Sequence, residues 1–258
     1  MLAQERHAII LEMLQQRNII KISDIANRFG ISNLTARRDL DALQDQNLIR
    51  RVYGGAVLVE QAAEGSEGTT AFRRRADRTE IRAIGKAAAA MVQPGDILFL
   101  GTGTTVLEVA RHIRHLNDLT ILTNSLAVIN ELADTGNVLY VLGGKLDKEE
   151  HSFSGAYASQ MLQTFCADKA FVGCGGISKA QGITDYSPQV AEIDRLMVQK
   201  SSCAVLVCAS HKFETNTLSV VCPLSELDMI ITDEGLPVRQ RDSLRRQGVE
   251  LRVVPAEA

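Results

Sequence analysis

The sequence predicts an α/β chain in two parts: a small helical domain with a basic hairpin, then a larger domain with a mainly parallel sheet. Three observations predict it. Near the N-terminus, short amphipathic helical patterns are followed by an arginine-bearing strand and Gly54-Gly55. From about residue 79, helical patterns alternate with apolar strand patterns. Between these parts, residues 60–70 are small, polar and Gly-containing, the composition of a linker. The expected boundaries are 1–58 for the first domain, 59–71 for the linker and 72–258 for the second domain.

Each element of the first domain has a local reason. Ala8, Ile9, Leu11 and Leu14 make an apolar stripe on an opening helix. Ile19-Ile20-Lys21-Ile22 is extended. Ser23 is placed to cap a second helix, with Ile25, Ala26 and Phe29 inward. Gly30 closes that helix where a left-handed residue is needed. Ser32 then caps a third helix, in which Ala36, Leu40 and Leu43 fall on one face. Asn33, Thr35, Arg37 and Arg38 are left on or beside the outer face, as groups suited to phosphates and base edges. Arg50, Arg51 and Tyr53 follow on a strand that turns at Gly54-Gly55. This order is a winged helix-turn-helix. The candidate contacts to double-stranded DNA are Ser32, Asn33, Thr35, Arg37, Arg38, Arg50, Arg51 and Tyr53. The bland alternative is a small structural domain with solvated arginines.

Charge and composition narrow the classes. The 258 residues are 45% hydrophobic and 23% charged, enough for two globular domains. A net charge of −3 argues against non-specific coating of nucleic acid. Arginines nevertheless cluster at 37/38, 50/51 and 73–75, which suits a sequence-specific reader. Residues 72–78 read as a solvated helix start, with a DNA-adjacent or domain-docking basic segment as the alternative. The five cysteines lack a Cys-x-x-Cys pair and mostly sit in apolar runs. Buried reduced thiols are expected, without a disulfide framework or a zinc site. No apolar run is long enough to span a membrane and no secretory leader is read, so a cytoplasmic protein is expected.

In the second domain, Ile97-Leu98-Phe99-Leu100 is a continuous apolar run, the mark of a strand buried on both faces. Further strands are expected near 120–123, 138–142, 169–173, 203–209, 228–232 and 249–254, with helices near 125–134, 155–165, 188–201 and 237–247. In such sheets ligands bind beyond the carboxyl ends of the strands. There the chain carries Gly101-Thr102-Gly103-Thr104-Thr105 directly before a helix, a cradle of N–H groups and hydroxyls for an anion. No Gly-Lys-Ser/Thr makes it a Walker loop, and Val106 replaces the third glycine of a dinucleotide fingerprint. Asn124, Gly175, Asp185 and Lys212 stand at or near other strand ends. The candidate effector contacts are Gly101, Thr102, Gly103, Thr104, Thr105, Asn124, Gly175, Asp185 and Lys212. Cys174 reads as a packed small residue. No catalytic residue, cofactor or metal is expected.

These motifs together resemble the DeoR family of bacterial transcriptional regulators over nearly the whole chain. The resemblance rests on Leu34-Thr35-Ala36-Arg37-Arg38-Asp39-Leu40, Arg51-Val52-Tyr53-Gly54-Gly55-Ala56, Gly103-Thr104-Thr105, Thr123-Asn124-Ser125, Leu142-Gly143-Gly144, Gly175-Gly176-Ile177 and Ile230-Ile231-Thr232-Asp233. It implies a winged helix-turn-helix followed by an α/β sensor domain related in fold to ribose-5-phosphate isomerase. It also implies a repressor of a sugar or sugar-acid operon, released from its operator by a small phosphorylated sugar-like effector. A homodimer or homotetramer is expected. The chain departs from the family pattern at Gly101 and Ala209, where an Asp is common. Tyr186-Ser187-Pro188, beside Glu192 and Arg195, marks a subfamily with its own ligand. The competing reading is an active sugar-phosphate isomerase fused to a DNA-binding domain, for which Asp185 or Glu192 supplies the base.

Overall fold

The computed structural model describes residues 6, 7, 9–11, 13, 14, 19–45, 48–52, 55–58, 78–148, 150–246 and 248–255. The chain divides into two compact units, residues 1–76 and 77–258. The expected linker at 59–71, the arginines at 73–75, Ala8, Tyr53 and Gly54 lie outside the described residues.

The first unit contains an opening helical segment, β1 (Ile19–Lys21), α1 (Ile22–Phe29), α2 (Asn33–Asp45), β2 (Ile49–Val52) and β3 (Gly55–Leu58). β3 lies between β1 and β2, antiparallel to both. Ile10, Leu14, Ile20, Ile25, Ala36, Leu40, Leu43 and Ile49 form one core. Gly30 has a φ of +63°, and the Ile31 N–H donates to the Ala26 carbonyl at 3.1 Å, closing α1. The Ser32 hydroxyl accepts from the Thr35 N–H at 3.2 Å, as its capping role requires. One expectation shifts: α1 starts at Ile22, so Ser23 lies in its first turn rather than at its cap. The helix follows β1 without an intervening residue, which leaves no separate cap position.

A buried carboxylate ties this unit together. Asp39 of α2 accepts from Arg6 at 2.8 and 2.9 Å and lies 3.2 Å from His7 Nε2. Burial pushes the Asp39 carboxyl up, but Arg6 and then His7 outweigh it and hold it below the usual carboxylate range.

The second unit is a three-layer α/β/α domain. Its helices are α3 (Arg78–Ala89), α4 (Thr104–Ile113), α5 (Leu126–Leu132), α6 (Ala156–Gln163), α7 (Pro188–Gln199) and α8 (Val238–Arg245). The strands are β4 (Ile97–Leu100), β5 (Thr120–Thr123), β6 (Val138–Val141), β9 (Ala167–Val172), β12 (Ser201–Val207), β14 (Met229–Asp233) and β15 (Glu250–Val254). They pair in the order β6-β5-β4-β9-β12-β14-β15, all parallel. Successive strand residues point to opposite faces. Leu98 and Leu100 therefore join Ile84, Val106, Val109 and Val128 on one side, whereas Phe99 joins Leu162, Ile193, Met197 and Leu244 on the other. Each fully buried side chain of this size contributes about 1.5–3 kcal/mol. Among the described residues, no helix is long and apolar enough to cross a membrane.

Two smaller assemblies were not expected. β7 (Lys145–Asp147) and β8 (Ser152–Ser154) form a hairpin, and β10 (Gly176–Ser178), β11 (Gly182–Asp185) and β13 (Ser219–Cys222) form an antiparallel sheet. Strands this short carry too little periodicity to be read from sequence. All five cysteines are free. Cys208 and Cys222 are buried, but Cys166 is exposed, because its residue lies in the turn before β9 rather than in the strand.

Removing the buried Asp39 carboxylate leaves the opening segment without its anchor. Asp39→Ala is expected to lower the stability of the first unit by about 1–3 kcal/mol, read from amide hydrogen exchange in α2. In the wild type, the Asp39 contribution is full above pH about 4 and is lost as the pH falls through its lower folded value.

Candidate functional site

The nucleic-acid candidates sit on α2 and the hairpin. Ala36 and Leu40 face the core, so Ser32, Asn33, Arg37 and Arg38 are exposed on the other side and Thr35 is half-buried. Leu34 stands among them, 59% exposed, which sequence reasoning did not single out. Arg50 and Arg51 lie on β2, paired with Val57 and Ala56 of β3. Tyr53 lies outside the described residues.

The effector candidates gather where the strand order reverses. From β4 the chain builds β5 and β6 to one side, then crosses to place β9 on the other. The β4–β9 junction is the switch point at which open α/β sheets form a crevice. β4 runs into Gly101, whose N–H donates to the Phe171 carbonyl at 3.0 Å. Gly103, with a φ of +105°, starts α4 and gives it no side-chain cap. The first-turn amides of α4 have no partner within the helix and attract an anion. Thr105 is buried and Thr102, Gly103 and Thr104 are half-buried.

The junction is crowded on its floor. A Cβ on Gly101 would lie 2.8 Å from Asp194 Oδ1, and one on Gly173 would lie 3.1 Å from the Thr102 carbonyl oxygen. Asp194, on α7, is 1% exposed and its Oδ1 has no hydrogen-bond partner. Burial drives its carboxyl well above the usual range, and the nearby Asp185 and Cys174 push the same way. Asp185, at the end of β11, is also raised by burial, against the opposing Ser187 N–H at 3.0 Å and the charge of Lys212. Lys212 lies on a short turn, Ser210–Lys212, held by the buried Asp233. Asp233 accepts from the N–H groups of Ser210 at 2.6 Å and Gly235 at 2.9 Å. The turn is thus anchored from β14 although position 209 is alanine.

Several expected residues turn out to be committed elsewhere. The Gly175 N–H is spent on the Thr184 carbonyl at 2.8 Å, and a Cβ there would lie 2.9 Å from the Tyr186 ring. Gly175 thus makes room for that ring. Gly101 likewise spends its N–H on the sheet. Asn124 is fully buried at the end of β5; its amide donates to the Phe153 carbonyl at 3.2 Å, and its Oδ1 is unpartnered. Glu192 accepts from the Ser159 hydroxyl at 2.8 Å. Arg195 donates to the carbonyls of Val221, at 2.7 Å, and Val220, so it latches α7 to β13. Burial and a hydrogen bond between thiols set Cys208 apart as well: the bond to Cys174 comes first, and both raise its thiol well above the ordinary value. That neighbourhood does not favour a thiolate. Among the described residues, no group of three or more His, Cys, Asp or Glu is placed to hold a metal ion.

A winged helix-turn-helix unit joined in one chain to an α/β unit with a switch-point crevice defines a DNA-binding regulator that carries a sensor domain. Residues 6–62 match the DeoR-like helix-turn-helix domain, and residues 77–234 match the DeoR C terminal sensor domain. The chain is 34% identical to the HTH-type transcriptional regulator YgbI of Escherichia coli K12, over all of both chains. It is 35% identical to the transcriptional repressor AccR of Agrobacterium fabrum, over 90% of each chain. With the HTH-type transcriptional repressor GlcR of Bacillus subtilis it shares 34% identity over 98% of this chain and 97% of the relative. A solved ribose 5-phosphate isomerase from Methanocaldococcus jannaschii overlaps 53% of this chain and 55% of its own, at 16% identity and a TM-score of 0.39. The chain belongs to the DeoR family of transcriptional regulators. These relatives are named as transcriptional regulators and repressors.

Arg38 is exposed on α2, and its expected contact with DNA is testable by substitution. Arg38→Ala is expected to weaken operator binding by about 1–3 kcal/mol and relax sequence preference if it reads a base. If it meets phosphate only, binding falls evenly across sequences and the salt slope shrinks by about one. Titrations against operator and scrambled duplex at several salt concentrations separate the two results.

Proposed function

We propose that this regulator represses a carbohydrate or sugar-acid catabolic operon and leaves its operator when a small phosphorylated sugar-like effector fills the β4–β9 crevice. The observation that carries this reading is the start of α4 at the switch point, where Gly103 offers no side chain to cap the first-turn N–H groups. The Thr104 and Thr105 hydroxyls flank it, and the charge of Lys212 acts on the same neighbourhood through Asp185. An anionic end on the ligand matches that set. Repression agrees with AccR and GlcR, both named as transcriptional repressors.

Release requires only that the effector prefer the arrangement that does not bind DNA, by about 1–3 kcal/mol for a typical coupling. The isomerase reading needs a free carboxylate base, whereas Glu192 is engaged by Ser159 and Asp185 by backbone N–H groups. We further propose a homodimer or homotetramer, since two winged units on a symmetric operator multiply a small footprint.

Three measurements test this reading. A thermal-shift screen of phosphorylated sugars and sugar acids is expected to find a stabilising ligand that also dissociates the operator complex; a screen in which anionic sugars neither stabilise nor release sinks the effector assignment. Thr104→Val and Lys212→Met are each expected to raise the ligand concentration needed for release by about tenfold or more, the scale of one lost charge-assisted bond. Light scattering of the full chain at micromolar concentration is expected to give twice or four times the chain mass, and a monomer overturns the assembly proposal.

A further inference from the structure

The carboxyl of Asp194 is buried, and one of its oxygens is unsatisfied within the protein. It projects from α7 between Ile193 and Met197, both fully buried in the core. Its Oδ1 has no hydrogen-bond partner. A buried polar group without a partner costs stability, and a leucine of similar volume would avoid that cost. The neighbouring strand end has been cleared for it: Gly101 has no side chain, and even a methyl group there would come within 2.8 Å of Oδ1. The residues that meet at this point come from β4, β9 and α7, the walls of the switch-point crevice.

We propose that Asp194 is the hydroxyl-reading group of the effector site and that Gly101 is glycine so that this carboxyl reaches the ligand, which makes the effector a hydroxylated anion rather than a plain one. The proposal rests on the effector reading above and specifies its chemistry. The anionic end of the ligand belongs at the α4 amides, which supply donors only, whereas a carboxyl also presents an acceptor. The far end of the ligand then meets Asp194. A protonated carboxyl donates one hydrogen bond and accepts others, and a hydroxyl does the same, so the two match in both directions. Burial and the adjacent Asp185 favour that protonated form. A site built this way discriminates strongly against a ligand lacking the hydroxyl, because the carboxyl is then left unpaired.

The test uses the full-length chain, with melting temperature and calorimetric titration as readouts. The probes are inorganic phosphate, ethyl phosphate, glycerol 3-phosphate, ribose 5-phosphate, 6-phosphogluconate and glucosamine 6-phosphate. In the wild type, at least one hydroxylated ester is expected to bind about tenfold or more tighter than ethyl phosphate. In Asp194→Leu and in Gly101→Ala that preference is expected to collapse to about threefold or less, whereas Asp194→Asn keeps part of it. The ligand-free Asp194→Leu protein is expected to melt at or above the wild-type temperature, as removal of an unpaired buried carboxyl predicts. A preserved preference in Asp194→Leu overturns the proposal, and so does a ligand-free melting temperature several degrees lower, which makes the carboxyl structural. Preference for glucosamine 6-phosphate alone, abolished in Asp194→Asn, replaces the hydroxyl by an ammonium and overturns the class. If a hydroxylated probe binds through Asp194 while both inorganic and ethyl phosphate leave the wild type unaffected, the anion cradle fails and the role of Asp194 stands.

Discussion

The second unit depends on the close pairing of β4 with β9. These strands lie at the centre of the sheet, and the strand order reverses between them. Their residues point alternately into both helical layers, so Leu98, Phe99, Leu100 and Phe171 hold the two halves of the core to one plane. Just past the strand ends the two glycines are confined differently: a side chain at Gly173 would press on the Thr102 carbonyl of the loop after β4, whereas one at Gly101 would meet Asp194 of α7.

The first unit solves a smaller problem differently. Its apolar core is short of bulk, with a few leucines and isoleucines around Ala36 and Ala56. Asp39 adds a polar tie between α2 and the opening segment, with Arg6 and His7 as partners. The tie faces inward, so the opposite side of α2 is left to the exposed polar residues. Arg37 and Arg38 sit two and one positions before Asp39 yet are exposed, because the helical step turns adjacent positions apart.

Most of the architecture was legible because its signals are long or chemically specific. Ser32 and Gly30 punctuate the helix pair, and apolar runs such as Ile97-Leu98-Phe99-Leu100 mark the strands of the large sheet. The small sheet of β10, β11 and β13 escaped because no run of its residues is long enough to show a period. The site was legible as a set of strand ends but not in its roles. Gly101 and Gly175 read as anion-cradling backbone, and only the packing reveals that each also leaves space for a neighbouring side chain, Asp194 and Tyr186. Asp194 was missed because a charged residue in a helix reads as solvated. A signal was available: Asp194 falls four residues after Val190 and four before Val198, inside an apolar stripe.

The pairing of β4 with β9 also has a consequence in time. Residues 98–100 cannot find their partners until residues 169–171 exist, and β12, β14 and β15 come later still. Among the described residues, the core and strand pairings of the first unit are made before residue 59. During synthesis, the first unit can complete its core while the central strand of the second is still without one neighbour. The polypeptide thus acquires its means of gripping DNA before its means of being told to let go.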